Sequence, residues 1–294
     1  MTIENSHPPV SIICLCYNQE RFVREALLSA VHTAYANKEV IVVDDHSTDG
    51  SVAVIESVIK DYPVIKLIQM PENSGNCAAF NAGFRNSSGD FLIDLAADDI
   101  LPPDCVQNAI NRFTSRNDTY GVVYGDVIYM AEDGTHLYKH SEKFPPAGMP
   151  EGDVYIDLIR SYFVSSASMT IRRAVLEKLQ GYDESLAYED FDFWIRSARE
   201  YGYLYTNTVQ VFKRLVKGSM SDRQFKRGNI QQLSTFRVCE KIFALNRTSE
   251  EDGALRKRLR YEIRQCLLRF DLSLARKYSG LLRRVNKVSR AAYK

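Results

Sequence analysis

Apolar and polar positions along the first hundred residues predict strands and helices in turn. Short apolar runs, each of strand length, are separated by segments whose apolar residues recur at helical spacing. The predicted strands are residues 10–17, 39–44, 64–68 and a run that starts at residue 91 and ends at Asp98 and Asp99. This alternation predicts an α/β fold, in which a doubly wound, mostly parallel, twisted sheet carries helices on both faces. Right-handed crossovers then bring the carboxyl ends of the strands to one edge, where such sheets bind ligands.

The remainder of the chain predicts two further parts. Residues 120–129 and 164–171 have the pattern of strands, 203–205 and 209–215 that of two short strands, and 142–153 form a loop rich in proline and glycine. We expect one domain over residues 1–218, with a nucleotide-binding half at about 9–100 and an acceptor half at about 101–218. Residues 219–294 are predicted to be a helical C-terminal appendage, with its apolar residues on one stripe. The stripe consists of Leu255, Leu259, Ile263, Leu267, Phe270 and Leu274.

Charge is unevenly distributed between these parts. The chain of 294 residues has a net charge of +1, but residues 254–294 contain 13 Lys or Arg and 2 acids. Two interpretations of this basic end stay open: a packed helical lid with a solvated basic face, or a surface that docks on anionic lipid near a lipid-linked acceptor. Nucleic-acid binding is disfavoured, because no fold for RNA or DNA recognition accompanies the basic residues.

The cysteines and the N-terminus indicate the compartment. None of the six cysteines forms a Cys-x-x-Cys pair, and their spacing gives no disulfide or zinc framework. The first residues lack the basic and apolar regions of a signal peptide, and no apolar run approaches the roughly 20 residues that span a bilayer. We expect a cytoplasmic protein, with peripheral contact at the inner face of the membrane as the open alternative.

The acid pair at the end of the fourth strand is the strongest chemical signal. Asp98 and Asp99 follow an apolar run and precede Pro102 and Pro103. Two adjacent carboxylates are costly unless a positive group is near, and a divalent cation that also holds phosphates is the natural candidate. Taken alone, such a pair is more often a cap or a solvated turn.

The motifs in combination are far more specific, because their order and spacing resemble family 2 glycosyltransferases. The resemblance covers roughly residues 9 to 220. Its motifs are Val-Ser-Ile-Ile with Tyr17-Asn18, Ile-Val-Val-Asp-Asp-His-Ser-Thr-Asp-Gly-Ser at 41–51, Asn-Ser-Gly-Asn-Cys-Ala-Ala-Phe-Asn-Ala-Gly at 73–83, Ala97-Asp98-Asp99, Gly-Tyr-Asp-Glu-Ser-Leu at 181–186, and Glu189-Asp190 with Asp192.

This resemblance implies a GT-A fold and transfer of a sugar, with inversion, from a nucleotide-diphosphate donor, with a UDP-sugar as the expected donor. It implies that Tyr17 lies against the base, that the backbone near Leu15 borders it, and that Asp45 accepts a hydrogen bond from a uracil-type ring. The turn at Gly75 and Asn76 would approach the nucleotide closely, where a missing Cβ helps.

The resemblance also implies the groups that carry the chemistry. Asp98 would contact the ribose or a metal-bound water, and Asp99 would ligate Mg²⁺ or Mn²⁺ across the diphosphate. Asp190 would be the general base that deprotonates the acceptor hydroxyl, while we expect Asp192 in the same helix turn to be structural. The implied acceptor is a glycan or a lipid-linked molecule, and the implied enzyme is a hexosyl- or N-acetylhexosaminyl-transferase of glycan or surface polysaccharide synthesis.

Two departures from the family pattern bear on the metal. The family often has Asp at the position of Ala96, and often has His at the position of Val216. Both departures remove groups that would support a metal at the diphosphate, and Lys217 or Arg214 is a hypothetical substitute cation for the diphosphate. A non-catalytic nucleotide-sugar-binding protein of the same fold is the alternative function. A dehydrogenase is disfavoured, since no glycine fingerprint follows the first strand.

Overall fold

The computed structural model describes residues 7–186, 189–216 and 230–288, and these form two compact units. The sheet unit consists of residues 7–152, 164–184 and 201–216. The helical unit consists of the described residues within 153–163, 185–200 and 217–294. The predicted domain boundary at 218 lies outside the described residues and stays a prediction.

The sheet unit contains eight described strands. They are β1 Val10–Cys16, β2 Lys38–Asp44, β3 Ile65–Gln69, β4 Phe91–Ala96, β5 Tyr120–Met130, β6 His136–Lys139, β7 Thr170–Arg172 and β8 Gly202–Arg214. Its α-helices are α1 Val23–Val31, α2 Ser51–Asp61, α3 Asn76–Arg85, α4 Cys105–Thr114, α5 His140–Lys143 and α7 Arg173–Leu179. Helix α6, Tyr155–Arg160, belongs to the helical unit.

The strands form one mixed sheet in the order β3-β2-β1-β4-β7-β5-β6, with β8 paired to β5. β1 pairs in parallel with both β2 and β4, and β2 pairs in parallel with β3. β5 and β8 are also parallel, whereas β6 and β7 run antiparallel to their neighbours. The predicted mostly parallel sheet is confirmed, and β1, β2, β3 and β4 therefore end at one edge.

Helices pack on both faces of this sheet because successive strand residues point to opposite sides. Ile12 and Cys14 belong to a buried core that includes residues of α1, α2 and α4. On the other face α3 lies so close that a Cβ on Gly83 would come within 2.5 Å of Ile13 Cγ2. Glycine at position 83 is therefore a packing requirement, and the layered arrangement fixes where each strand ends.

Two predictions about the later strands are wrong. Residues 203–215 do not form two strands but one, β8, which follows β5 through register shifts around Gly125–Val127. In the sequence, the polar residues at 206–208 resemble a break between two strands. The register shifts allow β8 to continue through them as one strand. The predicted strand at 164–171 is reduced to the three residues of β7, which fit between β4 and β5.

The helical unit consists of α6 Tyr155–Arg160, α8 Glu189–Ala198, α9 Ile230–Leu245, α10 Ser249–Leu268 and α11 Leu272–Lys287. Leu255, Leu259 and Leu274 are buried as their stripe predicts. The stripe prediction is wrong for Leu267, in the last turn of α10, and for Phe270, in the turn that follows the helix. These residues are 50% and 75% exposed. No helix in the described ranges has the length and apolarity needed to cross a bilayer.

The core of the helical unit is held by a buried arginine. Arg258 of α10 donates from Nε to the Ile159 carbonyl at 3.0 Å, and its guanidinium lies 4.0 Å from the Tyr162 ring centroid and 5.1 Å from that of Phe191. A cation over aromatic faces in a desolvated setting is stabilising. Arg258 thereby ties α10 to α6 and α8.

Candidate functional site

The end of β1 places an exposed aromatic ring at the carboxyl edge of the sheet. Leu15 is the penultimate residue of β1 and is buried, while Tyr17 follows the strand and is 45% exposed. The Asp45 backbone N–H donates to the Cys16 carbonyl at 2.8 Å, so the chain after β2 lies directly beside Tyr17. The Ala97 N–H donates to the Leu15 carbonyl at 2.9 Å, which brings the chain after β4 to the other side.

The turns that follow β1 and β2 are locked to each other. The Asn18 N–H donates to Ser47 Oγ at 2.9 Å, and Asn18 Oδ1 accepts from the Thr48 N–H at 2.8 Å. Asn18 and His46 both have positive φ, at 53° and 62°. Non-glycine residues adopt this conformation rarely, and it tends to persist where the surroundings require it, often at functional sites. The lock holds the backbone on either side of Tyr17 in a fixed shape.

Asp45 organises the turn before α3. Its Oδ1 accepts from the Ser74 N–H and its Oδ2 from the Gly75 N–H, both at 2.8 Å, and the side chain is 5% exposed. Gly75 has φ +85° and ψ 167°, a region open almost only to glycine, and a Cβ there would meet no atom within 4 Å. Asp45 therefore fixes Gly75 and Asn76 at the sheet edge while both of its oxygens keep lone pairs for a ligand.

The two acids after β4 occupy different environments. Asp99 is 2% exposed, and its Oδ1 accepts from the Arg214 N–H at 2.8 Å, whereas Asp98 is only half-buried. Burial raises the pKa of Asp99 to about 7, against the opposing influence of Lys213. Burial also raises the pKa of Asp98, and Lys213 and Arg214 partly offset that rise. Of the pair, Asp98 is the more exposed carboxylate.

The guanidinium of Arg214 forms hydrogen bonds with three other segments at this edge. Its Nε donates to the Asp98 carbonyl at 3.0 Å, its Nη1 to the Glu132 carbonyl at 2.8 Å, and its Nη2 to Glu25 Oε2 at 2.6 Å. The side chain is 3% exposed. A guanidinium held in this way does not present itself to a diphosphate, so the hypothesis that Arg214 substitutes as a cation is not supported. Lys217, the other hypothetical cation, lies outside the described residues.

The residues at this edge fit a metal only in part. Within the described ranges no three His, Cys, Asp or Glu side chains are grouped as a metal site. A single accessible carboxylate such as Asp98 does suit Mg²⁺ or Mn²⁺ that takes its remaining ligands from substrate phosphates and water.

The predicted base belongs to the helical unit, where α8 carries two aspartates with different surroundings. Asp192 is 1% exposed, and it pairs with Arg196 Nε and Lys241 Nζ, each at 2.6 Å. Its predicted structural role is confirmed, because both oxygens are held by cations. Asp190 is half-buried in the first turn of the same helix.

One polar residue of structural importance is absent from the predictions. Asn81 on α3 is buried, accepts from the Tyr182 N–H at 2.9 Å and donates to the Tyr182 carbonyl at 2.9 Å. Phe80 stacks on the Tyr182 ring with centroids 4.3 Å apart. The motif at 73–83 thus holds Tyr182 of the motif at 181–186 in place. The available signal was an asparagine in the middle of α3, among small and apolar residues.

Comparisons with known proteins identify the family and the fold. A model of the family described as glycosyl transferase family 2 matches residues 11–180. The putative teichuronic acid biosynthesis glycosyltransferase TuaG of Bacillus subtilis is 26% identical over 223 residues, which are 76% of this chain and 85% of TuaG.

Two solved structures share the fold. S. aureus TarS 1-349 in complex with UDP-GlcNAc superposes with a TM-score of 0.71 at 17% identity, covering 94% of this chain and 80% of the other. The mannosyltransferase PcManGT from Pyrobaculum calidifontis, in complex with GDP-Man and Mn2+, has a TM-score of 0.67 at 16% identity, covering 98% of this chain and 77% of the other. The fold is of the GT-A type, and the protein is a glycosyltransferase. Because the family match spans more than half of its length, the chain belongs to glycosyl transferase family 2.

Proposed function

We propose that this enzyme moves a sugar, with inversion, from a UDP-sugar to an acceptor hydroxyl in the synthesis of a glycan or surface polysaccharide. One observation carries the proposal: the ends of β1, β2 and β4 bring Tyr17, the Asp45-bound turn and Asp98 to one edge of the sheet. An exposed ring, a glycine turn and an accessible carboxylate are the groups that a nucleotide diphosphate needs.

The donor site is assembled from backbone and side chains together. The Tyr17 ring would stack on the base, with the backbone near Leu15 at its border, and Asp45 would accept from the ring N–H of uracil. Gly75 and Asn76 would lie against the nucleotide, because the Gly75 backbone has no side chain to keep a ligand away. TarS, which binds UDP-GlcNAc in its solved complex, supports a uridine donor.

We propose that Asp98 has both tasks that the acid pair was predicted to share. Asp98 would contact the ribose, and it would also be the protein ligand of Mg²⁺ or Mn²⁺. Asp99 is less suited to bind the metal, because it is buried and its Oδ1 accepts a hydrogen bond from the Arg214 N–H of β8. The predicted role of Asp99 as the metal ligand becomes the second choice. A bound divalent ion supplies positive charge that stabilises the departing nucleoside diphosphate. The Mn2+ in the PcManGT structure is a precedent for the fold.

Asp190 is the proposed general base. Inversion needs one carboxylate that removes the proton of the acceptor hydroxyl as the new bond forms. Asp192, its neighbour on α8, is neutralised by Arg196 and Lys241 and has no oxygen without a cation. The family resemblance and the half-buried position of Asp190 together support this choice.

For the acceptor and the transferred sugar, we propose only the chemical class. TuaG is named for teichuronic acid biosynthesis, which supports a glycan acceptor. A lipid-linked acceptor and a hexosyl- or N-acetylhexosaminyl-transferase activity are proposed from the family resemblance. The alternative is a nucleotide-sugar-binding protein without turnover, favoured by the missing carboxylate at Ala96 and the missing histidine at Val216.

A donor screen separates the two. UDP- and GDP-sugars are incubated with the full chain with and without Mn²⁺, and release of the nucleoside diphosphate is measured beside calorimetric UDP binding. We expect release from a UDP-sugar that depends on Mn²⁺. Tight UDP binding without release from any donor, with a range of acceptors present, would favour the binding protein.

Substitution of the base completes the test. Asp190→Asn is expected to abolish transfer and leave UDP affinity unchanged, because it removes the proton acceptor and keeps the size of the side chain. Glu250→Gln, an exposed carboxylate of the same unit, is the matched control and should leave both unchanged. Transfer by Asp190→Asn at the wild-type rate would remove Asp190 from the mechanism.

A further inference from the structure

The turn between α10 and α11 exposes an unusual group of apolar side chains. Within six residues, Leu267, Leu268, Phe270 and Leu272 are 50%, 63%, 75% and 58% exposed. They lie at the tip of a helical hairpin whose two helices bury their other faces in the helical unit. Contiguous exposed apolar surface of this kind marks an interaction site.

The turn is tightly built. The Asp271 N–H donates to the Cys266 carbonyl at 2.9 Å and the Phe270 N–H to the Leu267 carbonyl at 3.1 Å, the pattern of a Schellman C-cap. The Asp271 carboxylate then accepts from the Leu274 N–H at 3.0 Å and begins α11. The tip is therefore a fixed feature that presents its side chains in a defined direction.

Phe270 occupies the position of this cap that usually contains glycine. Its φ is +57°, a left-handed conformation that costs conformational energy for a residue with a Cβ. The burial of its ring does not repay this cost, because three quarters of the side chain is exposed. A strained and exposed phenylalanine where glycine would be more stable suggests that the ring has a partner outside the unit.

Positive charge surrounds the tip on both helices. Arg264 lies four residues before Leu268 and Arg276 four residues after Leu272, each about 6 Å along its helix, and both are exposed. Lys257, Arg260 and Lys277 continue the exposed basic surface. Each acid of the hairpin has another position or partner: Asp271 caps α11, Glu262 pairs with the buried Arg258, and Glu250, Glu251 and Asp252 lie in the first turn of α10, about 25 Å from the tip.

We propose that the tip inserts into a bilayer of anionic phospholipid. The leucine and phenylalanine side chains would enter the boundary between headgroups and acyl chains, while Arg264 and Arg276 contact lipid phosphates from about one helical turn further out. A second copy of this chain fits less well, because two tips that meet would bring their basic surfaces together. The inference goes beyond glycosyl transfer and does not depend on it.

Sedimentation with vesicles tests the proposal. The full chain is mixed with phosphatidylcholine vesicles and with vesicles containing phosphatidylglycerol, at low and high salt. We expect binding to the anionic vesicles that weakens as salt rises, and little binding to the neutral ones. Absence of binding to anionic vesicles at low salt would overturn the proposal.

Phe270→Gly separates membrane contact from folding. The substitution removes the ring, and glycine adopts the positive φ without strain. We therefore expect an unchanged or higher melting temperature and a vesicle affinity that is reduced about tenfold. Val64→Ser, which removes a 66% exposed apolar side chain from the sheet unit, is the control and should bind as the wild type does. Equal vesicle binding by Phe270→Gly and wild type would contradict insertion, as would a lipid-free dimer that Phe270→Gly abolishes.

The basic residues have their own test. Arg264→Gln with Arg276→Gln should weaken binding to anionic vesicles at low salt and reduce its dependence on salt. If the double variant keeps both the affinity and the salt dependence of the wild type, the arginines do not contact lipid, and the proposed docking is wrong.

Discussion

The Asp99 carboxylate accepts a hydrogen bond from the Arg214 N–H at 2.8 Å, and this bond joins the chain after β4 to the last residue of β8. The side chain of Arg214 continues the same connection by donating to the Asp98 carbonyl. Adjacent acids with similar sequence signals thus differ in task. Asp99 fastens two strands, and Asp98 is left as the accessible group.

Separate substitutions should reveal this division. Asp99→Ala leaves the buried Arg214 N–H without its partner, which we expect to lower the free energy of unfolding by about 1–3 kcal/mol. Asp98→Ala should cost less stability but remove the gain in UDP affinity that Mn²⁺ provides. Urea unfolding and calorimetry with and without Mn²⁺ measure the two effects. A stable Asp99→Ala variant that has lost the Mn²⁺ effect would instead make Asp99 the metal ligand.

Asn81 should be a second stabilising residue of the sheet unit. Asn81→Ala deprives both backbone groups of Tyr182 of their partner, so we expect the free energy of unfolding to fall by about 2–4 kcal/mol. Asn86→Ala, at the exposed end of the same helix, is the control and should cost far less. Equal losses in the two variants, measured by urea unfolding, would show that the contact with Tyr182 contributes little.

The sequence predicted the sheet and its functional edge because both depend on local signals. Apolar runs identify the parallel strands, and the handedness of crossovers then brings Tyr17, Asp45 and Asp98 together without any knowledge of contacts. The different tasks of Asp98 and Asp99 could not be predicted, because they depend on β8, more than one hundred residues away. The same applies to Arg214, whose partners come from three separate segments.

Errors in the later part of the chain have related causes. The polar residues at 206–208 suggest a break between strands, but pairing with β5 carries β8 through them. Phe270 continues the apolar stripe of α10 in the sequence, yet the helix ends before it and its ring is exposed. A stripe gives the period of a helix but does not give the residue at which the helix ends.

Glu39 should make the sheet unit sensitive to acid. Burial alone would raise the pKa of Glu39, but the Lys66 ammonium and hydrogen bonds from Ser88 and Ser11 lower it to about 2. A carboxyl whose folded pKa lies below its unfolded value of 4.5 stabilises the fold above that value, and the contribution is lost as pH falls from 4.5 towards 2.

Melting temperatures between pH 6 and pH 2 test this. We expect the wild type to lose stability more steeply below pH 4.5 than Glu39→Gln, which has no charge to titrate at this position. Glu56→Gln, an exposed glutamate on α2, should keep the slope of the wild type. Parallel curves for wild type and Glu39→Gln would show that other carboxyl groups control the acid transition.

Tyr17 should contribute to nucleotide affinity and little to stability. Its ring is 45% exposed at the end of β1, so Tyr17→Ala removes little buried surface, whereas loss of stacking on a base costs about 1–3 kcal/mol. We expect UDP affinity to fall by about five- to one hundred-fold in calorimetry, with Tyr17→Phe close to the wild type because it keeps the ring. Tyr138, 46% exposed on β6 of the same unit, gives the matched control Tyr138→Ala, which should bind UDP normally. If Tyr17→Ala binds UDP as tightly as Tyr138→Ala does, the base does not stack on Tyr17, and the donor must be held by the Asp45 turn and Asp98 alone.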